Sequence, residues 1–488
     1  MAEGSGSHVD VLIVGAGLSG IGAACHLARR LPRMSYAILE SRSTLGGTWD
    51  LFRYPGIRSD SDMFTMGYSF EPWTNASAVA DGQSILDYLT RTARRHGVDR
   101  AIRYQHRVVR AEWSSARSLW TVVVERTDTG ERIQLTCAFL WLCAGYYRYD
   151  QGYTPDVPGR ESFRGDVVHP QHWPDDLDVS GRRVVVVGSG ATAVTLVPAL
   201  ARSAGDVTML QRTPSYVMPV PRSDALARMV LAALPPKAAH SVMRWKNVLV
   251  GQGTYTLSRR RPELAKRLVR RAQAAYLPAD FDADTHLAPP YDPWDQRLCM
   301  VPDGDLFAAI ASGRASIVTD TVDRFEPGGV RLSSGRLLEA DVVVTATGFT
   351  LNPLGGVELV VDGDPVTVGD TVTYLGAMLS GVPNMAFVVG YTNAAWTLKA
   401  DLVSVFVCRL LEHMTKRGYR VVIPQPPPRD DTARHPIIDF SSGYVTRSLA
   451  ELPKQGSTVP WRLYQNYPLD VALFRFRPIE SKGLHFTT

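Results

Sequence analysis

Two stretches of this chain carry the same pattern, and that repeat restricts the fold more than any other feature. Val9-Asp-Val-Leu-Ile-Val14 reads as a buried strand running into Gly15-x-Gly17-x-x-Gly20 and a helical stretch over residues 21–30. Arg183-Val-Val-Val-Val187 runs in the same way into Gly188-Ser189-Gly190-Ala-Thr192-Ala193 and a second helix. A further strand follows each copy, Tyr36-Ala-Ile-Leu-Glu40 in the first and Asp206-Val-Thr-Met-Leu-Gln-Arg212 in the second. A side chain at these glycines would block the tight turn, the approach of backbone N–H groups to a pyrophosphate, and the packing of helix on strand. The repeat predicts an α/β chain with two Rossmann-like dinucleotide-binding domains.

The copies differ at the end of their second strands. Glu40 stands twenty residues beyond Gly20, where a carboxylate accepts ribose hydroxyls. The second copy has Gln211-Arg212-Thr213 there, and Arg212 can bind a 2′-phosphate that a carboxylate would repel.

The rest of the chain divides around these two units. Residues 83–96 read as an amphipathic helix, 104–127 as alternating strands, and 139–145 as a buried strand ending in small residues. Pro/Gly punctuation over 153–159 suits a domain crossing. An Ala/Leu/Arg-rich helical insertion over 223–290 interrupts the second unit, which resumes at Tyr291 and closes on the strand 341–349. Further on, 382–390 reads as a strand and the prolines of 424–428 as a surface loop. The expected domains are 1–149 (first dinucleotide domain), 150–222 and 291–350 (second), 223–290 (helical insertion) and 351–488 (return to the first).

A net charge of +5 over 488 residues, without a basic arm, gives no reason to expect a nucleic-acid partner. The five cysteines (Cys25, Cys137, Cys143, Cys299, Cys408) show no metal-ligand spacing and suit free thiols in a reducing cytoplasm. The first eight residues are small and polar, and no apolar run reaches the roughly 18 residues of a membrane span. Within 259–271, Arg259, Arg260, Arg261, Lys266, Arg267, Arg270 and Arg271 flank Leu264, Leu268 and Val269 at helical spacing. Such a helix can lie on an anionic membrane surface, or be a solvated face over a packed one. The expected location is cytoplasmic, with membrane association left open.

Two further stretches carry a resemblance. Phe163-x-Gly165-xxx-His169-xxx-Trp173-Pro174 and Gly46-Gly47-Thr48-Trp49-xxxx-Tyr54-Pro55-Gly56-xxx-Asp60 resemble the two signatures of Baeyer–Villiger monooxygenases, within the class B flavin monooxygenases. Residues 59–64, 293–305 and 452–456 are similar to the subgroup containing the mycobacterial ethionamide-activating monooxygenase. With the charge difference above, the resemblance implies FAD on Gly15, Gly17, Gly20, Glu40, Gly47, Thr48 and Trp49. It implies NADPH on Gly188, Ser189, Gly190, Thr192, Arg212 and Thr213. The implied reaction inserts one atom of O2 beside a ketone carbonyl through a C4a-peroxyflavin, giving an ester or lactone.

By position in the family, Arg297 of the Gln296-Arg297 pair is the cation over the flavin, and Asp60 holds the nicotinamide end. The family pocket is lined by the stretch that matches 391–396. The linker signature Phe163, Gly165, His169 and Trp173 implies a role in domain orientation rather than proton transfer. Gln296 departs from relatives that carry lysine there, so a lysine contact to NADPH is not carried over. Oxygenation of sulfur or nitrogen is the alternative reading. A disulfide reductase would need a close redox cysteine pair that the sequence does not offer, and a non-catalytic flavin scaffold is the third class.

Overall fold

The computed structural model describes residues 8–75, 77–428 and 433–488. The chain opens with β1 (His8–Val14), α1 (Leu18–Arg30) and β2 (Tyr36–Leu39), followed by the short helices α2 (Thr48–Leu51) and α3 (Met63–Met66) and by α4 (Gly82–Arg95). Then come β3 (Ile102–Arg103) and a meander of β4 (His106–Ser114), β5 (Leu119–Arg126) and β6 (Arg132–Leu142). The second unit holds β7 (Asp166–Val168), β8 (Arg183–Val187), α5 (Ala191–Leu200), β9 (Asp206–Gln211) and β10 (Val217–Val220).

Four helices form the insertion: α6 (Ala225–Ala233), α7 (Pro236–Arg260), α8 (Pro262–Ala274) and α9 (Ala283–Leu287). The chain re-enters at β11 (Cys299–Pro302), α10 (Asp305–Ala311) and β12 (Ala315–Thr319). It then makes a hairpin sheet of β13 (Val322–Glu326), β14 (Gly329–Leu332) and β15 (Leu337–Glu339), and ends the unit on β16 (Val342–Thr345). Beyond it lie β17 (Glu358–Val361), the strand Met385–Phe387, α11 (Trp396–Arg417), α12 (Gly443–Thr446) and α13 (Tyr467–Phe476).

Two separate sheets carry the two nucleotide folds. The first runs β17-β4-β5-β6-β1-β2-β3, and Met385–Phe387 adds to β6 in parallel, so residues from both ends of the chain build one sheet. The second runs β12-β9-β8-β16-β7, all parallel. Parallel strands are covered on both faces, which is why their sequences read as unbroken apolar runs rather than alternations. Val11, Leu12 and Ile13 in β1 and Val184 and Val186 in β8 are fully buried. The expected two Rossmann-like units are therefore present.

The chain passes between the sheets twice, and the two passages pair with each other. Arg148 N donates to Thr350 O at 2.8 Å, and Asn352 N donates to Tyr146 O at 2.8 Å. This is a two-stranded antiparallel connection, with Tyr147 opposite Leu351.

Several local expectations need adjusting. The stretch 163–174 is not a free linker: its centre is β7, the edge strand of the second sheet, paired to β16. The strand expected over 382–390 is confined to Met385–Phe387, because Asn384 (φ 46°) leaves extended geometry just before it. Of the proline run, Pro424 closes a buried strand against Leu484 and Pro427 is buried, so only part of it is surface loop. The basic stretch 259–271 is split between the end of α7 and α8 by a break at Arg261-Pro262. Residues 402–411 of α11 are nearly all buried, and the helix packs on α1 as core. Among the described residues no helix is long and apolar enough to cross a membrane.

Candidate active site

The first fingerprint makes a turn that only glycine fits. Gly15 has φ of 101°, and a Cβ there would lie 2.7 Å from Cys143 O; at Gly20 it would lie 1.8 Å from Gly15 O. Gly17 faces Gly47, where a Cβ would come within 3.1 Å of the Gly17 Cα and 3.3 Å of the Tyr149 hydroxyl. No side chain caps α1, so its first N–H groups are left for an external acceptor. Beside this turn opens a cleft of about 540 Å³ lined by Gly15, Gly17, Glu40, Arg42, Gly47 and Arg107 among others. Its size suits a nucleotide cofactor. Thr48 Oγ1 lies 2.6 Å from the Tyr147 hydroxyl, and Trp49 is half-buried against the core around α1.

Glu40 is placed differently from the simple expectation. Its carboxylate is 4% exposed and accepts from Ala16 N at 2.8 Å and Arg42 N at 3.0 Å. Burial pushes the carboxyl above its ordinary value, against those N–H donors and the Arg42 charge. Glu40 thus ties the end of β2 to the glycine turn while still lining the cleft.

The second fingerprint repeats the geometry. Gly188 has φ of 140°, and a Cβ there would lie 2.3 Å from Ala346 O; Gly190 opens onto empty space within 4 Å. α5 also lacks a side-chain cap. The strand register sharpens the comparison of the two copies. Val14 pairs with Leu39 and Val187 with Leu210, so Gln211, not Arg212, occupies the position of Glu40. Gln211 is buried and donates to His286 O and Thr319 Oγ1. Arg212 is exposed and makes no hydrogen bond or ion pair among the described residues. Ser189 Oγ donates to Thr213 O at 2.9 Å, holding the turn to the chain after β9.

The signature ending on Asp60 joins the two folds. Gly56 packs on α5, where a Cβ would lie 2.7 Å from the Ala199 Cβ. Tyr54 is buried, and burial pushes its phenol up to about 12. Asp60 then meets Arg297 across the seam: Arg297 Nε donates to Asp60 Oδ2 at 3.0 Å, and Nη2 lies 2.8 Å from the same oxygen. Arg297 Nη1 donates to Thr392 O at 3.2 Å. The two side chains keep 31% and 36% exposure, so the pair is partly open rather than sealed in the core. The Asp60 carboxylate pushes the guanidinium above its ordinary value, against burial. Arg297 therefore pairs with neither Asp295 nor Asp305, which are taken by Arg259 and Arg58.

The linker signature acts as a brace. His169 Nδ1 accepts from Gln171 N, which leaves the proton on Nε2, 3.3 Å from Gly348 O. Burial lowers its pKa, so the ring stays neutral. Phe163 packs on Phe325, Gly165 abuts Asp341 O, and Trp173 joins the core of the second fold.

Sequence reasoning passed over the aromatic seam. Tyr147 stacks on Phe349 at 5.1 Å, and Tyr146 stacks on Trp396 at 5.0 Å. The run Tyr146-Tyr147-Arg-Tyr149 at a domain crossing was the available signal. It also missed that the insertion clamps the chain just past Asp60. Asn247 on α7 donates to Asp62 Oδ1, the N-cap of α3, and Arg244 Nη1 donates to the carbonyls of Phe64, Thr65 and Gly67 at the other end.

Two nucleotide-binding sheets with an ion pair at their seam define a two-dinucleotide flavoprotein architecture, and comparison with known proteins agrees. Residues 9–354 match the flavin-binding monooxygenase-like family, and the chain belongs to it. It is 53% identical over 480 residues to the FAD-containing monooxygenase EthA of Mycobacterium tuberculosis H37Rv, covering 98% of each. To EthA of Mycolicibacterium smegmatis it is 50% identical over 481 residues, covering 98% of this chain and 97% of the relative. Among solved structures, an oxidized steroid monooxygenase bound to NADP matches with a TM-score of 0.77 at 23% identity, covering 98% of this chain and 99% of that one. Cyclohexanone monooxygenase from Rhodococcus sp. Phi1 bound to NADP+ matches with a TM-score of 0.77 at 21% identity, covering 99% and 100%. The resemblance read from the two signatures is borne out, and the likeness to these structures is one of fold.

Proposed function

We propose that this protein is an NADPH- and O2-dependent flavoprotein monooxygenase that inserts one oxygen atom beside a ketone carbonyl, giving an ester or lactone. The observation that carries the reading is the Arg297–Asp60 pair at the seam of the two nucleotide folds. The glycine turn at Gly15, Gly17 and Gly20, the facing Gly47 and the cleft beside them fit FAD, with Glu40, Thr48 and Trp49 around it. The uncapped α5 behind Gly188, Ser189 and Gly190, with Thr192, Thr213 and an unpaired Arg212, fits NADPH. The names of the relatives and neighbours, which mention FAD and NADP, support both assignments. Residues 1–149 and 351–488 would then form the FAD domain, and 150–222 and 291–350 the NADPH domain around the insertion 223–290.

When bound, flavin reduced by NADPH activates dioxygen and supplies one of its atoms to the substrate. The rest falls to the chain. Arg297 keeps its charge at a partly buried seam where a lysine could lose its proton. Asp60 and Thr392 O fix the guanidinium, leaving N–H donors on its terminal nitrogens for negative charge that develops on the reacting oxygen. Tyr146, Trp396 and the aromatics behind them exclude water. His169, neutral and bound to Gly348 O, holds β7 against the second passage between the folds and moves no proton.

Incubating the enzyme with NADPH, oxygen and a panel of linear, cyclic and aryl ketones and weighing the products tests the reading. Esters or lactones are expected; sulfoxides or N-oxides from heteroatom substrates with no ester from any ketone would replace it by the heteroatom reading. Arg212→Ala should raise KM for NADPH by about 10- to 100-fold, the worth of a charge-assisted hydrogen bond. KM for NADH should hardly move; equal effects on both cofactors would remove Arg212 from the 2′-phosphate site. In Gly47→Ala the new methyl meets the backbone of Gly17 at positive φ, so the purified variant should lose most of its flavin absorbance while staying folded.

A further inference from the structure

The helical insertion carries the largest surface feature that the two nucleotide folds leave unexplained. Eleven of the fourteen exposed large apolar side chains among the described residues lie between Leu226 and Tyr276. On α7, Val242, Trp245, Leu249 and Val250 recur at helical spacing and are 42–59% exposed. The opposite face of α7, with Met243, Arg244 and Val248, is buried and holds the chain just past Asp60. Met229 on α6 and Leu268 on α8, both helices packed against α7, are 63% and 48% exposed.

Charge is concentrated on the same three helices. Residues 225–276 contain eleven Lys and Arg and a single acid, Glu263, so they carry +10 in a chain whose total is +5. Lys246, Arg259, Lys266 and Arg270 are neutralised by Asp224, Asp295, Glu263 with Asp292, and Asp284, and Arg244 is buried on Asp401. Arg228, Lys237, Arg260, Arg261, Arg267 and Arg271 have no carboxylate partner among the described residues.

We propose that this face docks on an anionic lipid surface, with the α7 stripe entering the headgroup layer and the free cations against lipid phosphates. The basic stretch 259–271 is then one edge of a three-helix face whose apolar centre is α7. Exposed apolar patches rimmed by charge mark interaction sites, and a tryptophan beside leucine and valine with arginines at the rim is the composition of an interfacial helix. A second copy on this face would bring two strongly positive surfaces together. A nucleic acid would engage the cations and leave the apolar stripe wet.

Flotation of the full-length, flavin-loaded enzyme with vesicles tests this, and its outcome is independent of the ketone reading. Vesicles of phosphatidylcholine should bind at least about tenfold more weakly than vesicles with roughly a third phosphatidylglycerol, and high salt should release the protein. Arg260→Gln/Arg261→Gln should weaken partitioning roughly 25-fold, about fivefold per charge. Leu249→Asp/Val250→Asp should abolish it, with melting temperature and flavin content unchanged in both variants. Absence of flotation, equal binding to neutral vesicles, or variants that float like the parent overturn the proposal. So does a concentration-dependent dimer that Leu249→Asp/Val250→Asp abolishes, which would make the face a contact between copies.

Discussion

Arg297→Ala should lower ester formation by about 100- to 1000-fold, the cost of removing one preorganised donor from a site where charge develops, while NADPH still bleaches the flavin. The split follows from geometry. Arg297 is held by Asp60 and by Thr392 O, neither of which belongs to the turns fitted to the cofactor phosphates. Hydride transfer therefore keeps the groups at the cofactor phosphates and the Asp60 carboxylate itself, while the step that places negative charge near the guanidinium loses its main support. Arg297→Lys should fall between the two, since it restores charge without the fork that meets both partners. Stopped-flow absorbance for flavin reduction and product mass for the ester check the split in one preparation. An Arg297→Ala enzyme that still makes ester at the parent rate would end the proposed mechanism.

Asp401→Asn should cost about 3–5 kcal/mol of stability, because it leaves a buried arginine without its counter-charge. Asp401 on α11 is 3% exposed and accepts from His26 Nε2, Ser69 N and Arg244 Nη2 at 2.9–3.1 Å. Arg244 is itself 5% exposed and leaves its Nε without a partner. This cluster fastens α7 of the insertion to α1, to the chain past Asp60 and to α11. Burial pushes the Asp401 carboxyl up, but the His26 hydrogen bond, the Arg244 charge and the Ser69 N–H outweigh it, so the net shift is downward. A folded value below the unfolded one means that the carboxylate contributes stability above the unfolded value of about 3.9, lost as pH falls through the folded value. Denaturant midpoints should therefore separate parent and variant most at neutral pH and converge in acid. Equal midpoints at neutral pH would show that the ion pair contributes nothing.

Much of the site could be read from the chain because its parts are local. Gly15, Gly17 and Gly20 follow a strand and precede a helix, and the close backbone approaches at Gly15 and Gly20 are set within that turn and by the neighbouring strand end at Cys143. Arg212 was singled out at the end of β9, whereas strand pairing puts Gln211 at the position of Glu40. What stayed hidden depends on which distant groups meet. The Glu40 carboxylate accepts from Ala16 N, Gly56 packs on α5 across the seam, and the centre of 163–174 becomes an edge strand because β16 offers it a row of hydrogen bonds. The exposed stripe of α7 was equally silent, since an apolar residue in a helix looks the same whether a neighbour covers it or not.

By itself the sequence determined that there are two nucleotide-binding units and how they differ, because a glycine turn between strand and helix is a short-range arrangement whose backbone demands are met within a few residues. Only the tertiary structure decided that Asp60 and Arg297, 237 residues apart, share an ion pair, and that α7 fastens the chain beside them. Those contacts exist because two passages of chain between the sheets pair with each other and bring the folds together, a closure over long separations that no local pattern encodes.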